Sequence, residues 1–138
     1  MDPDNDTREI KYNLLVQLAR AWNQLDAELL DPLLSPNMVY SSQWLDYTIT
    51  GAHNYISYLI EKFAAIRTTG TKTVTRAQMA TLPKTSSNAQ DCILLTQIAG
   101  SEIRQLLFFI QTQNSMIIHI YAGDPAYYPQ LELSGIYP

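Results

Sequence analysis

The spacing of apolar residues divides the chain into a helical first half and a strand-forming second half. Apolar side chains recur every three or four residues over residues 7 to 25 and over residues 52 to 67, which predicts two amphipathic helices. A shorter apolar stretch over residues 27 to 34 predicts a helical segment between them. Asp6 and Asp26 stand where N-caps of the first and second segments are expected.

The apolar period changes to two in the second half of the chain. This alternation, with short polar or glycine-containing connections, is typical of strands in an antiparallel meander. One earlier strand is expected after the turn signal at Pro36. Helices followed by a meander predict an α+β fold. The predicted strands cover residues 38 to 44, 73 to 82, 92 to 99, 102 to 113 and 116 to 122.

Both faces of the predicted sheet are apolar at its centre. Leu106 and Phe108 alternate with Leu107 and Phe109, so each face presents large apolar side chains. The helices all precede the meander and can cover only one face. We therefore predict a homodimer formed through the second sheet face. The alternative is that the segment 125 to 138 folds back over that face.

The charge of the chain is low and concentrated at its start. Lys and Arg total 9 and Asp and Glu total 13, so the net charge is −4, and 16% of residues are charged, against roughly 25% in ordinary soluble domains. Because no basic cluster offsets this balance, we expect no nucleic-acid partner. A charge-poor body favours an uncharged ligand and surface hidden by self-association.

Location and cofactor use are predicted from what the sequence lacks. The longest apolar run, Leu106 to Ile110, is too short to cross a membrane, and the acidic first residues do not resemble a signal peptide. With Cys92 as its single cysteine, the chain fits a reducing compartment. We expect a cytoplasmic protein without membrane contact. Two distant histidines and one cysteine offer no metal-ligand spacing, so neither a metal nor a cofactor is predicted.

The order of elements and five short segments resemble the nuclear transport factor 2-like superfamily, also called SnoaL-like or cystatin-like. The resemblance covers about residues 8 to 124. It implies a cone-shaped fold, with three N-terminal helices packed on a curved, mostly antiparallel sheet and a pocket at the open end. The segments that carry it are Leu18-Ala19-Arg20-Ala21-Trp22-Asn23, Leu25-Asp26-Ala27-Glu28-Leu29-Leu30, Leu33-Leu34-Ser35-Pro36-Asn37-Met38-Val39-Tyr40, Ile49-Thr50-Gly51 and Ile118-His119-Ile120-Tyr121.

The resemblance also suggests how the chain is organised. We expect a polar leader at residues 1 to 6, one domain at residues 7 to 124 and a C-terminal extension rich in Pro and Tyr at residues 125 to 138. The superfamily includes isomerases, dehydratases, epoxide hydrolases, cyclases and association domains. The catalytic sets of its isomerase, dehydratase and epoxide-hydrolase branches do not carry over onto this sequence, so the resemblance assigns no activity.

His119 is the candidate catalytic residue. It lies in the last long strand, where we expect it to share a face with Ile117 and Tyr121. An imidazole titrates near neutral pH, so on a pocket wall it would serve as a general acid or base. The alternative is a half-buried histidine satisfied by a neighbouring polar group.

Aromatic residues cluster in the first strand, the loop after it and the third helix, where the resemblance implies a pocket mouth. Such side chains suit a flat or cyclic organic ligand. The cluster contains Tyr40, Trp44, Tyr47, Tyr55 and Tyr58.

The candidate ligand-binding residues are taken from this cluster and from the strands and loops around it. Asp46 is a lone carboxylate near the cluster, and Gln97 is an uncharged amide within a strand. The predicted set is Tyr40, Trp44, Asp46, Tyr58, Gln97 and Tyr121.

Two functions remain open at this stage. The first is binding of a small, largely apolar organic molecule, with cofactor-independent acid–base chemistry of the isomerase, dehydratase or cyclase type. The second is a non-catalytic homodimeric module whose pocket is filled by its own side chains. An open cavity that reaches His119 would favour the first function, and a closed core filled by Tyr and Trp rings would favour the second.

Overall fold

Helices pack on a curved sheet in the computed structural model, which describes residues 6–43, 48–69, 73–83 and 89–138. Within this part of the chain, helix α1 spans Arg8–Gln24 and helix α2 spans Ala52–Thr68. A 3₁₀ helix, Ala27–Leu33, connects α1 to the first strand. The fold class is α+β, as the change of apolar period predicts.

The start of α1 differs from the prediction in its capping residue. Thr7, rather than Asp6, is the N-cap, and its hydroxyl oxygen accepts a hydrogen bond from the Ile10 N–H at 3.2 Å. The Asp6 carboxylate instead accepts from the backbone N–H of Ser115 at 3.0 Å. Asp26 caps the 3₁₀ helix as predicted, by accepting from the N–H of Glu28.

Seven strands form one sheet within the described residues. Their order is β2-β1-β6-β5-β4-β3-β7, and every neighbouring pair is antiparallel except β1 with β6, which is parallel. The strands are β1 Leu34–Ser42, β2 Ile49–Thr50, β3 Thr73–Leu82, β4 Gln90–Ala99, β5 Glu102–Gln113, β6 Met116–Gly123 and β7 Glu132–Leu133.

The first strand begins earlier than predicted. It starts at Leu34 rather than Met38, because Leu34 pairs with Ile117 of β6 before the register shifts and resumes at Val39. Pro36 is tolerated inside this segment because the pairing is irregular there.

A β-bulge in β6 determines which side chains face the helices. Gln111 pairs with His119 and Thr112 pairs with Ile117, so Ile118 is the extra residue. The insertion changes the alternation of β6, and both Ile117 and Ile120 enter the main core. His119 therefore does not share a face with Ile117, contrary to the sequence-based expectation.

The main core lies between the helices and the inner face of the sheet, defined as the face that contacts α1 and α2. Trp22 of α1 packs edge-on against Phe63 of α2, with ring centroids 4.8 Å apart, and lies 5.6 Å from Phe108 of β5. All three side chains are buried. The two helices and the sheet therefore meet around one indole ring.

The opposite, outer face of the sheet is partly covered by the C-terminal segment. A small buried cluster there contains Cys92, Leu94 and Leu107, and Tyr128 and Leu131 pack against it. Strand β7 extends the sheet beside β3, and the Ser134 N–H donates to the carbonyl oxygen of Met79 at 3.1 Å. Burial also raises the pKa of the Cys92 thiol to about 12, as expected for a buried cysteine.

Both α-helices of the described residues have 17 residues, and no helix in that part of the chain is long and apolar enough to cross a membrane.

Candidate functional site

A cavity of about 480 Å³ opens between the two helices and the inner face of the sheet. Its walls are largely aromatic and aliphatic, and its polar side chains come from helix α2, the start of β5 and the ends of β1, β4 and β6. The lining residues are Trp22, Tyr40, Ser42, Tyr55, Tyr58, Leu59, Lys62, Gln97, Arg104, Gln105, Leu106, Phe108 and Asp124.

Three tyrosines form one wall of this cavity. The ring centroids of Tyr40 and Tyr55 are 5.0 Å apart, those of Tyr40 and Tyr58 are 5.8 Å apart, and those of Tyr55 and Tyr58 are 6.2 Å apart. Tyr55 and Tyr58 lie three residues apart in α2, so they share one face of that helix. Tyr40 reaches them from β1, which packs beside α2.

The phenol groups of Tyr40 and Tyr55 in this wall are held in their protonated form. Burial raises the pKa of Tyr40, and the charge interaction with Tyr58 raises it further, against a smaller opposing effect of Ser42. Burial also raises the pKa of Tyr55 well above 10.0. Neutral phenols donate hydrogen bonds, so this wall can polarise a carbonyl group but does not offer a phenolate base.

Two side chains that line the cavity each carry a buried polar atom without a hydrogen-bond partner among the described residues. They are the indole Nε1 of Trp22 and the hydroxyl of Tyr55. Both side chains are at most 2% exposed. Buried polar groups are rarely left unpaired, since each costs about 1 to 3 kcal/mol.

The cavity also contains two cationic side chains and one carboxylate among its described residues. Lys62 lies on α2, with Nζ 5.8 Å from the centroid of the Tyr58 ring. Arg104 lies near the start of β5, and Asp124 follows β6. The Asp124 carboxylate accepts a hydrogen bond from the N–H of Ala126, where it caps a short 3₁₀ helix.

The structure brings together only part of the predicted site. Tyr40, Tyr58 and Gln97 line the cavity. His119 and Tyr121 lie on the outer face, because their neighbour Ile120 points into the core. The predicted candidates Trp44 and Asp46, together with Tyr47 of the aromatic cluster, lie outside the described residues.

His119 lies in a separate hollow of about 310 Å³ on the outer face. Its Nε2 and the Oγ of Ser41 share a hydrogen bond of 2.7 Å. Burial lowers the pKa of His119 below its usual 6.5, so the imidazole is largely neutral at pH 7. This is the arrangement expected of a histidine with a polar partner, and a ligand in the inner cavity does not reach it.

Sequence reasoning did not select Trp22, Lys62 or Arg104 as site residues, although the signals were present. Lys62 follows Tyr58 by four positions and therefore lies on the same helix face. Arg104 lies two residues before Leu106 on β5, so the two side chains share the inner face. The strand period therefore predicts a charged side chain on that face. Trp22 belongs to the apolar stripe of the first predicted helix, a pattern that indicates a core position and not a binding site.

Among the described residues, no three His, Cys, Asp or Glu side chains gather as a metal site would require.

Comparison with known proteins relates the chain to others by structure. No protein-family model and no curated protein sequence matches it. An NTF2-like protein of unknown function from Mesorhizobium loti superposes with a TM-score of 0.63 at 10% identity, covering 95% of this chain and 96% of that one. An LEH-like epoxide hydrolase from M. tuberculosis has a TM-score of 0.59 at 13% identity, covering 87% and 86%.

A de novo designed protein with a curved β-sheet is also similar, with a TM-score of 0.61 at 13% identity, covering 88% of this chain and 91% of the design. An enzyme, a protein of unknown function and a designed protein thus share one architecture, so the architecture alone does not determine an activity. With its helices packed on a curved, mostly antiparallel sheet, the chain has the nuclear transport factor 2-like fold.

Proposed function

We propose that the chain binds a small, largely apolar organic molecule in the cavity between the helices and the inner face of the sheet. This proposal includes a cone-shaped arrangement with the cavity at its open end. The chemistry that it would support is cofactor-independent acid–base work of the isomerase, dehydratase or cyclase type. The similarity to an epoxide hydrolase is compatible with such use of the fold.

The observation that carries the proposal is an open cavity of about 480 Å³ with largely aromatic and aliphatic walls. Ligand sites combine apolar walls with a few polar groups that orient the ligand, in volumes of roughly 300 to 1,000 Å³. Gln97 and Asp124 are among the described lining residues that supply such polar groups.

The tyrosine wall supports the chemical part of the proposal. A carbonyl oxygen placed against these protonated phenols would accept hydrogen bonds that strengthen as negative charge develops on it. The rings of Tyr40, Tyr55 and Tyr58 pack against one another, so the wall is formed before a ligand arrives. The open cavity favours ligand binding over a pocket filled by side chains, but it does not reach His119 and so does not support His119 as the proton carrier.

A neutral naphthalene probe tests the binding proposal. We expect N-phenyl-1-naphthylamine to bind the wild-type protein with increased fluorescence. Gln97→Trp should abolish this binding, because the indole would occupy the cavity that Gln97 lines. Gln97 is only partly buried and lies in a strand that tolerates aromatic residues, so the variant should fold.

Gln113→Trp is the matched control for this experiment. Gln113 is an exposed glutamine at the end of β5, and it does not line the cavity. The same bulk is then added outside the cavity, and binding should persist. Absence of binding to the wild-type protein, or equal loss in the two variants, would contradict the proposal.

We also propose that the chain forms a homodimer through the outer face of the sheet. Val74 of β3 is 40% exposed and Ile103 of β5 is 65% exposed. Ile98 of β4 lies between them and pairs with each. This apolar strip lies beyond the part covered by the C-terminal segment. Light scattering should give twice the chain mass at micromolar concentration, and Ile103→Lys should give the monomer mass. A monomeric wild-type protein would contradict the dimer.

A further inference from the structure

We propose that the ligand of the inner cavity is an organic acid, whose anionic group is held between Lys62 and Arg104 while its apolar body lies against the aromatic walls. This inference rests on the proposed function, because it specifies the ligand of the same cavity. It replaces the uncharged ligand that the overall charge balance favoured.

The Lys62 ammonium group is placed where a cation is costly. The side chain is half-buried, and no carboxylate pairs with it among the described residues. Burial and the neighbouring charge of Arg104 both lower the pKa of Lys62. Half-buried cations are normally paired, so an unpaired one lining a cavity indicates a partner that arrives with the ligand.

Arg104 supplies a second positive group with little internal neutralisation. Its closest carboxylate is that of Glu102, with an N···O separation of 3.8 Å, and both side chains are more than 70% exposed. Exposed pairs of this kind contribute about 0 to 1 kcal/mol, so the guanidinium can exchange Glu102 for a better placed anion. The planar guanidinium also matches a carboxylate in shape.

Lys62, Gln97 and Arg104 stand together at one end of the cavity. The same three residues also line an adjoining hollow of about 390 Å³. A ligand whose apolar part fills the inner cavity would therefore place its terminal group at this junction. The amide of Gln97 offers an additional hydrogen-bond donor there.

One carboxylate accompanies the two cations among the described lining residues of the cavity. Asp124 follows Gly123, which pairs with Leu107, so it lies beside the first part of β5, where Arg104 stands. One of its oxygens accepts from the Ala126 N–H, and it forms no ion pair with Lys62 or Arg104. Two cations and one carboxylate leave one excess positive charge in the described lining, which favours an acid with an apolar body.

Two dyes that differ in one acidic group test the inference. 8-Anilinonaphthalene-1-sulfonate carries the same fused rings and anilino group as N-phenyl-1-naphthylamine, with a sulfonate added. We expect Lys62→Met and Arg104→Gln each to weaken binding of the sulfonate about tenfold, the effect of losing one charge-assisted contact. Binding of the neutral dye should stay within about twofold on the same basis.

Arg76→Gln is the matched control, since Arg76 is an exposed arginine of β3 outside the cavity. This variant makes the same change in net charge and should leave both dyes unaffected. Lys62→Met should also fold at least as well as the wild type, because it removes an unpaired half-buried charge. Retained binding of the neutral dye shows that each variant is folded.

The outcomes separate this inference from the proposed function. If neither dye binds the wild-type protein, the cavity proposal fails. If both dyes bind but the Lys62 and Arg104 variants weaken neither, or weaken both equally, the cavity proposal stands and the anion site is wrong. Sulfonate affinity should also fall as pH rises through the lowered pKa of Lys62, while affinity for the neutral dye stays constant.

Discussion

Phe63→Ala should lower the free energy of unfolding by about 3 to 5 kcal/mol, the range seen when a buried phenylalanine is truncated. Phe63 is 1% exposed and packs edge-on against Trp22 at the meeting point of both helices and the sheet. The loss is large against a domain stability of about 5 to 15 kcal/mol. Urea denaturation followed by circular dichroism measures it.

Ile60→Ala is the control, because Ile60 lies three residues earlier in α2 and is 49% exposed. Its truncation should cost less than about 1 kcal/mol. If the two variants lose similar stability, the junction around Trp22 is not the centre of the core. Phe63→Ala should also weaken ligand binding, because Trp22, a cavity residue, would lose its aromatic neighbour.

Asn23→Ala should lower the free energy of unfolding by about 2 to 4 kcal/mol, because it leaves buried backbone groups unpaired. The Asn23 amide accepts from the Ala77 N–H at 2.7 Å and donates to the Ala77 carbonyl oxygen at 2.9 Å. It also donates to the carbonyl oxygen of Pro138 at 2.8 Å. One side chain thus pairs the edge of β3 as a neighbouring strand would and anchors the C-terminal segment.

Asn13→Ala makes the same chemical change at an exposed position of α1 and should cost within about 0.5 kcal/mol. Hydrogen exchange provides a second measurement. In Asn23→Ala the amide of Ala77 should exchange faster, whereas the amides of the β4–β5 pairing should be nearly unchanged. Equal stability of the Asn23 and Asn13 variants would contradict this role.

The regular elements could be predicted because their local patterns agree with the fold. The structure has α2 at Ala52–Thr68, one residue longer than the period of its apolar residues predicts. Strands β3 and β5 have the predicted bounds, Thr73–Leu82 and Glu102–Gln113. In each case the alternation or helical stripe coincides with one buried face, so sequence and packing carry the same information.

The facing of His119 could not be predicted, because it depends on the bulge at Ile118. One extra residue moves every following side chain of β6 to the other face. This part of β6 is apolar on both faces, with isoleucines at positions 117, 118 and 120. The alternation of apolar and polar residues therefore gives no sign of the bulge. The insertion becomes visible only through pairing with β5, which is a tertiary property.

The cavity was predicted only in part for a similar reason. Tyr40, Tyr58 and Gln97 come from three different elements, and their common cavity follows from how α2 packs on the sheet. In the sequence, Lys62 and Arg104 contribute only to the net charge of the chain, which does not show where they lie. Their role comes from position, since two cations at one end of an apolar cavity create a local preference for an anion that net charge does not show.

The central claim is that ligands bind on the inner face, beside Trp22, and not beside His119. The most direct test is the nitrogen–proton NMR spectrum during titration with N-phenyl-1-naphthylamine. The sequence has two tryptophans, so Trp44→Phe assigns the indole resonance of Trp22. We expect that resonance and the Gln97 backbone amide to shift, with the amides of His119 and Tyr121 unmoved. Shifts confined to His119 and Tyr121 would contradict the account.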